Sequence, residues 1–184
     1  MKTDKFNYHL PEQLIAQYPS ENRSDARLMV ALESIQHEVF KDIGAHFCSG
    51  DLLVLNQTSV IPARLFGEKS TGGKIEILLE RFLSDRQTLA QVGSSRTPKE
   101  GAQLIFSFAE ENFVATVRGR KENFFILEWS SDPQALFANH GQIPLPPYMN
   151  RAPEKIDKER YETIYANPEK KESVAAPTAG MHFD

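Results

Sequence analysis

The chain has 184 residues, 40% hydrophobic, 25% charged and 10% aromatic, enough for one domain or two small ones with a core that needs no covalent staples. Its 21 lysines and arginines against 25 aspartates and glutamates leave a formal charge of -4, which excludes a general nucleic-acid coat but leaves room for one local basic groove. A single cysteine, Cys48, excludes an intramolecular disulfide framework and a thiolate-based zinc site, and fits a reducing, cytoplasmic compartment. The opening Met1–Phe6 has no apolar leader core, no apolar run approaches the roughly 20 residues that span a bilayer, and no membrane contact is expected.

In chain order, Pro11 begins a short helix through Leu14 and Ile15 that ends before Pro19. Leu52–Asn56 reads as a buried strand. Lys74–Phe82, Thr88–Gly93, Gln103–Phe108, Phe113–Arg118 and Asn123–Trp129 read as strands, and Lys74–Leu79, Phe113–Arg118 and Phe124–Trp129 show a side-chain period of two. Gly72-Gly73, Ser84-Asp85, Pro98 to Gly101 and Gly119 punctuate them, and five strands within about sixty residues predict a small antiparallel barrel or sandwich. Asp132 is an N-cap candidate, with Pro133 in the first turn and Gly141 just past the end. Asp157–Ala166 forms a helix with Tyr161, Ile164 and Tyr165 on one face. Seven of the 11 prolines lie between Pro133 and Pro177, a stretch expected to be connecting chain and short helices.

This order predicts a mixed α/β (α+β) larger domain with an inserted small antiparallel β-barrel. The barrel occupies residues 63–147, and the flanks 1–62 and 148–184 build the larger domain. One continuous α+β domain is the alternative on length alone. The chain stops on an apolar segment after a small-residue turn, where ends are usually polar, so a fragment of something longer is expected.

Phosphate-loop, dinucleotide, zincin and nucleophile-elbow signatures are missing, and the five histidines share no metal-like spacing, so no metal is expected. In Gly50–Leu65 a strand delivers Asn56 and Thr58 at its end and Arg64 after a proline bend. Asn and Thr suit ribose hydroxyls and Arg suits a carboxylate or phosphate, while turn caps at a strand end are the plainer reading. Thr178 can cap a helix start, Ala179 and Gly180 admit a ligand close to the backbone, and His182 follows one turn later as a proton carrier; an ordinary capped helix is again the plainer reading. Ile143–Tyr148 is a stiff extended strut, with a polyproline ligand as alternative, and Tyr148 offers a ring for stacking. Arg151 to Glu172 balances six basic against six acidic residues and reads as a solvated surface. Arg96–Lys121 and Arg64–Lys74 carry the basic excess where RNA would bind.

Leu10–Pro19, Arg27–Val30, Gly50–Arg64, Pro144–Tyr148, Arg160–Ala166 and Ser173–Asp184 occur in that order, and together they closely resemble the S-adenosylmethionine:tRNA ribosyltransferase-isomerase (QueA) family of the queuosine pathway. The resemblance covers the chain from first residue to last. Val174–Gly180 and Asn56–Arg64 are its most specific parts, and a trimmed connection at Glu33-Ser34 departs from it. It implies an α/β domain with an inserted barrel. It also implies transfer of the ribosyl part of S-adenosylmethionine to 7-aminomethyl-7-deazaguanine at the wobble position of a tRNA anticodon stem-loop. The product is epoxyqueuosine, and adenine and methionine leave. S-adenosylmethionine is a co-substrate, with no metal. His182 is then the expected proton-transfer group, Asn56, Thr58 and Arg64 substrate contacts, and Pro177, Thr178, Ala179 and Gly180 the backbone beside the nucleoside. A monomer is expected. The family's members continue beyond the matched segment, which makes a non-catalytic RNA-binding module, or an inactive truncation product, the competing expectation.

Overall fold

The computed structural model describes residues 2–146 and 148–184, and of Lys171 and Glu172 the backbone alone. From Lys2 to Gln57 the chain makes 3-10 turns at Thr3–Phe6, Glu12–Leu14, Arg23–Asp25 and Phe40–His46. One antiparallel hairpin joins β1 (Arg27–Ala31) to β2 (Ile35–Val39), with Ala31 opposite Ile35 across the short connection at Glu33-Ser34. Among the described residues, none before Ser59 is buried. The expected helix after Pro11 is reduced to the turn Glu12–Leu14, since Leu14 finds no surface to pack on. Leu52–Asn56 is not a strand: it runs irregularly, with Leu52 86% and Val54 82% exposed. An apolar segment becomes a strand only where another backbone answers its N–H and C=O groups, and none does here.

After β3 (Thr58–Val60), alternation organises the chain. β4 (Arg64–Lys69), β5 (Lys74–Phe82), β6 (Gln87–Ser94), β7 (Gln103–Phe108), β8 (Glu111–Lys121) and β9 (Phe124–Trp129) close a barrel in the order β4-β5-β6-β9-β8-β7. The sequence pointed to five of these strands. The sixth, β4, is short and ends in charge, yet Leu65 enters the core and Glu68 pairs with Ile105 to shut the barrel. Gly67 lies so close to Phe106 and the Ile105 carbonyl that no Cβ fits there. Inside, Ile77, Leu79, Leu104, Phe106 and Leu127 are fully buried, and Trp129 Nε1 donates to the Thr88 hydroxyl at 2.9 Å, so neither buried polar group is orphaned.

One end of the barrel is plugged by α1 (Pro133–His140). Asp132 caps it by accepting from Gln134 N at 2.8 Å, and Phe137 packs edge-on against Trp129 and Phe82. The chain enters and leaves the barrel side by side, because Arg64 N donates to the Gln142 carbonyl and Gln142 N to that of Arg64. Gly141 sits 1.9 Å, at its absent Cβ, from the Pro62 carbonyl, so the pinch requires glycine.

The strut Ile143–Pro146 buries Ile143 and Leu145 against Val60 and Ala176; Pro147 of that stretch lies outside the described residues. α2 spans only Lys155–Arg160, where a helix over Asp157–Ala166 was expected. A reciprocal capping box between Glu154 and Asp157 starts it early, and Tyr161 ends it. β10 (Asn167–Ser173), in a stretch expected to hold no strand, pairs in parallel with β3. Pro168 is accommodated there because the pairing is irregular, with register shifts on both sides of Lys171. No helix among the described residues is long and apolar enough to cross a membrane.

Candidate functional site

Asn56 and Thr58 form one closed unit. Asn56 Oδ1 accepts from Thr58 N at 2.9 Å and from Thr58 Oγ1 at 2.8 Å. This is an Asx turn, and it leaves two chemical handles: the Asn56 amide N–H groups as donors and the Thr58 oxygen lone pairs as acceptors. Arg64 stands apart. Its Nε lies 2.9 Å from Glu76 Oε1, in an ion pair too poorly aligned to be a hydrogen bond, and an Nη donates to the Leu145 carbonyl at 3.3 Å. That guanidinium clasps the barrel to the strut rather than projecting as a free fork.

Pro177–His182 forms a second unit. Pro177 is the N-cap of the 3-10 turn Thr178–His182, and Thr178 makes no capping bond, unlike the capped helix start the sequence suggested. A proline at the cap position and a segment of only five residues favour the tighter turn. Thr178 and Ala179 are exposed, whereas Gly180 is buried. The space a Cβ would need at Gly180 is taken by the Tyr165 hydroxyl, at 2.2 Å, and by Thr163. Gly180 therefore admits this chain's own Tyr165. His182 Nδ1 lies 3.1 Å from the Ala179 carbonyl, and its ring packs tilted on Phe40 at 5.3 Å. A carbonyl only accepts, so this contact is a hydrogen bond when Nδ1 carries the proton, leaving Nε2 of the neutral ring with a lone pair.

The two units flank the β3–β10 pair at its opposite ends and share neither a contact nor a cavity lining among the described residues. Ile61 N donates to the Ser173 carbonyl at 2.8 Å, and Val60 and Ala176 share a buried cluster with Met181 packed on it. Asn56 precedes the starting end of this pair, and Pro177 follows its finishing end. Beside it lies a cleft of about 700 Å³ between α1, Ser59–Pro62 and Lys158–Ala166, whose lining includes none of Asn56, Thr58, Thr178, Gly180 or His182.

Glu162, to which sequence reasoning gave no role, is central to this seam: its Oε1 accepts from the Ser59 hydroxyl and from Val60 N. Between Arg151 and Glu172, the charges of Glu154, Lys155, Lys158, Glu159, Glu169 and Lys170 are exposed as expected, but Arg151, Asp157, Arg160 and Glu162 are not simply solvated. Arg151 grips Asp157 with two bonds of 2.6 Å, at 11% and 5% side-chain exposure, and that guanidinium holds the Asp157 carboxyl below the usual carboxylate range. Arg151 also lies over the Tyr18 ring, 4.4 Å from its centroid, and Tyr18 donates to Glu154 at 2.8 Å. Arg160 donates to the carbonyls of Ser20 and Glu21, and Arg23 returns bonds to those of Glu159 and Met181. Balanced composition hid these clamps, since counting charge says nothing of which backbone each arginine reaches.

Comparison with known proteins gives a consistent family. The queuosine biosynthesis protein family matches residues 3–184. An S-adenosylmethionine:tRNA ribosyltransferase-isomerase of Acinetobacter baumannii is 47% identical over 186 residues, all of this chain and 53% of that protein. Those of Acinetobacter baylyi and Vesicomyosocius okutanii are 46% and 47% identical, again across the whole chain. A solved S-adenosylmethionine tRNA ribosyltransferase of Thermotoga maritima aligns with a TM-score of 0.38 at 37% identity, over 79% of this chain and 52% of its own. The chain spans about half the length of the curated relatives it matches.

Proposed function

The chain belongs to the queuosine biosynthesis protein family, and on that premise we propose that it serves in moving the ribosyl group of S-adenosylmethionine onto 7-aminomethyl-7-deazaguanine at the wobble position of a tRNA. The observation that carries this reading is 47% identity, without a break at either end, to a curated ribosyltransferase-isomerase.

The reaction asks for particular groups. A base takes the C5′ proton acidified by the sulfonium. The neutral amine of the deazaguanine attacks C1′, and proton donation to adenine helps it leave, with methionine as the second product. His182 is the candidate base, because a proton held on Nδ1 by Ala179 presents Nε2 for transfer. The Asn56 amide and Thr58 oxygen suit the ribose hydroxyls, and the exposed Thr178–Ala179 backbone suits close approach of the nucleoside. Arg64 acts indirectly, fixing the strut against the barrel. The Arg64–Gln142 pinch supports treating residues 63–147 as an inserted domain carried by 1–62 and 148–184. A single-stranded anticodon base is reached by splaying it from its loop, and the sulfonium, itself an electron sink, supplies the activation for which a metal would otherwise be called on. The cytoplasm, where tRNA is modified, is the setting.

Adenine release from S-adenosylmethionine, with tRNA bearing the deazaguanine, tests the reading. The assay uses the chain alone and the chain mixed with the part of the Acinetobacter baumannii relative beyond the matched region. Release in either mixture, lowered at least a hundredfold by His182→Ala, is expected. No release in both overturns the proposed activity, and release that His182→Ala leaves unchanged overturns the role of His182.

A further inference from the structure

The barrel is polarised. α1 fills one end; the other is open and carries the β4–β5 turn, the β6–β7 connection and the β8–β9 turn. Arg64–Lys74 and Arg96–Lys121, distant in sequence, meet at this open end: Lys69 Nζ donates to the Arg96 carbonyl at 3.0 Å and Ser70 N to that of Gln103 at 3.1 Å. Lys69, Lys74, Arg96, Lys99, Arg120 and Lys121 surround it, against Glu68, Glu100 and Glu122. The plugged end has the opposite balance, Arg81 and Arg86 against Glu80, Asp85, Glu110, Glu111 and Asp132. None of the six cations at the open end lies within 4.0 Å of a carboxylate among the described residues, whereas Arg64, Arg81, Arg118 and Arg151 are all ion-paired.

The open end is also shaped. A depression of about 460 Å³ is floored by Val117 and Phe125 and walled by Thr97–Glu100 and Arg120. Its wall is pinned, since Gly101 N donates to the Val117 carbonyl at 2.8 Å and Ala102 N to that of Lys99 at 3.0 Å. The Arg120 guanidinium carbon lies over the Phe125 ring, 4.3 Å from its centroid, so a cation–π contact holds the charge at this wall. Cations without carboxylate partners at the mouth of a small barrel fit a spaced row of phosphates.

We propose that this open end binds the sugar–phosphate backbone of the RNA substrate, a surface distinct from the Asn56 and His182 units. The inference rests on the tRNA reading above and assigns the surface that reading lacks. No large apolar side chain lines the depression except Phe125, which Arg120 covers, so RNA is favoured over a membrane.

Fluorescence anisotropy of labelled tRNA, titrated with this chain between 50 and 200 mM salt (roughly the range in which counterion release is read), tests it. Arg96→Glu combined with Lys99→Glu changes exposed loop residues, so folding is preserved, and the thermal midpoint checks this. The expected result is at least tenfold weaker binding, with the slope of log K against log salt shallower by about two. Arg81→Glu with Arg86→Glu at the plugged end should change affinity less than about twofold. Unchanged affinity in the open-end variant, equal loss in the plugged-end variant, or no tRNA binding by the wild-type chain overturns the inference. So does binding only to phosphatidylserine vesicles. The adenine assay stands apart: open-end-dependent tRNA binding without adenine release defeats the proposed chemistry and leaves this surface in place.

Discussion

Between Leu65 and Trp129 each strand sends alternate side chains into one interior, and Leu79, Phe106 and Leu127 lose all contact with water. Between Leu10 and Leu55 the chain carries seven leucines, two phenylalanines and Tyr18, yet none is buried. Strand partners account for the contrast. Every barrel strand has two neighbours in a closed ring, so backbone pairing and side-chain burial reinforce each other. The preceding stretch has one isolated hairpin, which cannot build a core alone. What anchors it is mostly polar: the reciprocal arginine clamps of Arg23 and Arg160, and Arg151 on the Gln17 carbonyl and the Tyr18 ring, with the Phe40 ring against His182 and Phe183 as the aromatic contact.

The largest test of this contrast is truncation on either side of it. Phe106→Ala should cost about 3–5 kcal/mol in urea unfolding, while Leu53→Ala should cost under about 0.5 kcal/mol. Equal losses would break the comparison. Arg151→Ala comes next, at about 3 kcal/mol, because it strands the buried Asp157 carboxylate. Because Asp157 titrates below its ordinary value of 3.8 when folded, its contribution is complete above that pH and is lost as pH falls through the lower folded value. Acid unfolding should therefore be steeper in the wild-type protein than in Asp157→Asn, followed by circular dichroism. Gly180→Ala should cost about 1–3 kcal/mol by pushing Tyr165 from its place, and Tyr165→Phe, which removes the crowding oxygen, should recover part of that loss. The smallest effect is kinetic: amides of Leu52–Leu55 should exchange at nearly the unprotected rate while those of β5 and β9 stay protected, which hydrogen-exchange mass spectrometry resolves segment by segment.

The barrel was legible in the sequence because a half-buried strand writes its period of two into the chain, as in Phe113–Val117 and Phe125–Trp129. β4 escaped because Gly67, Glu68 and Lys69 interrupt the pattern, and only its place in the ring explains them. Leu52–Asn56 failed for the converse reason: its apolar run states a preference for a sheet, and a preference without a neighbour leaves the segment in water. For the candidate site, residue types were legible and connectivity was not. Asn56 with Thr58, and Ala179 with His182, are local pairs that spacing of two or three residues suggests. The contacts of Glu162 with Ser59, and of Arg64 with Glu76 and Leu145, join positions far apart in the chain, which no local pattern encodes.

The pinch at Arg64 and Gln142 has a consequence for engineering and ancestry. Two adjacent chain crossings predict that the six-stranded unit behaves as a cassette: a chain with residues 64–142 replaced by a short turn, and the excised barrel itself, should each keep their circular-dichroism signatures. Its open mouth points away from that splice, so a transplanted copy would present the same three connections outward whatever protein bore it.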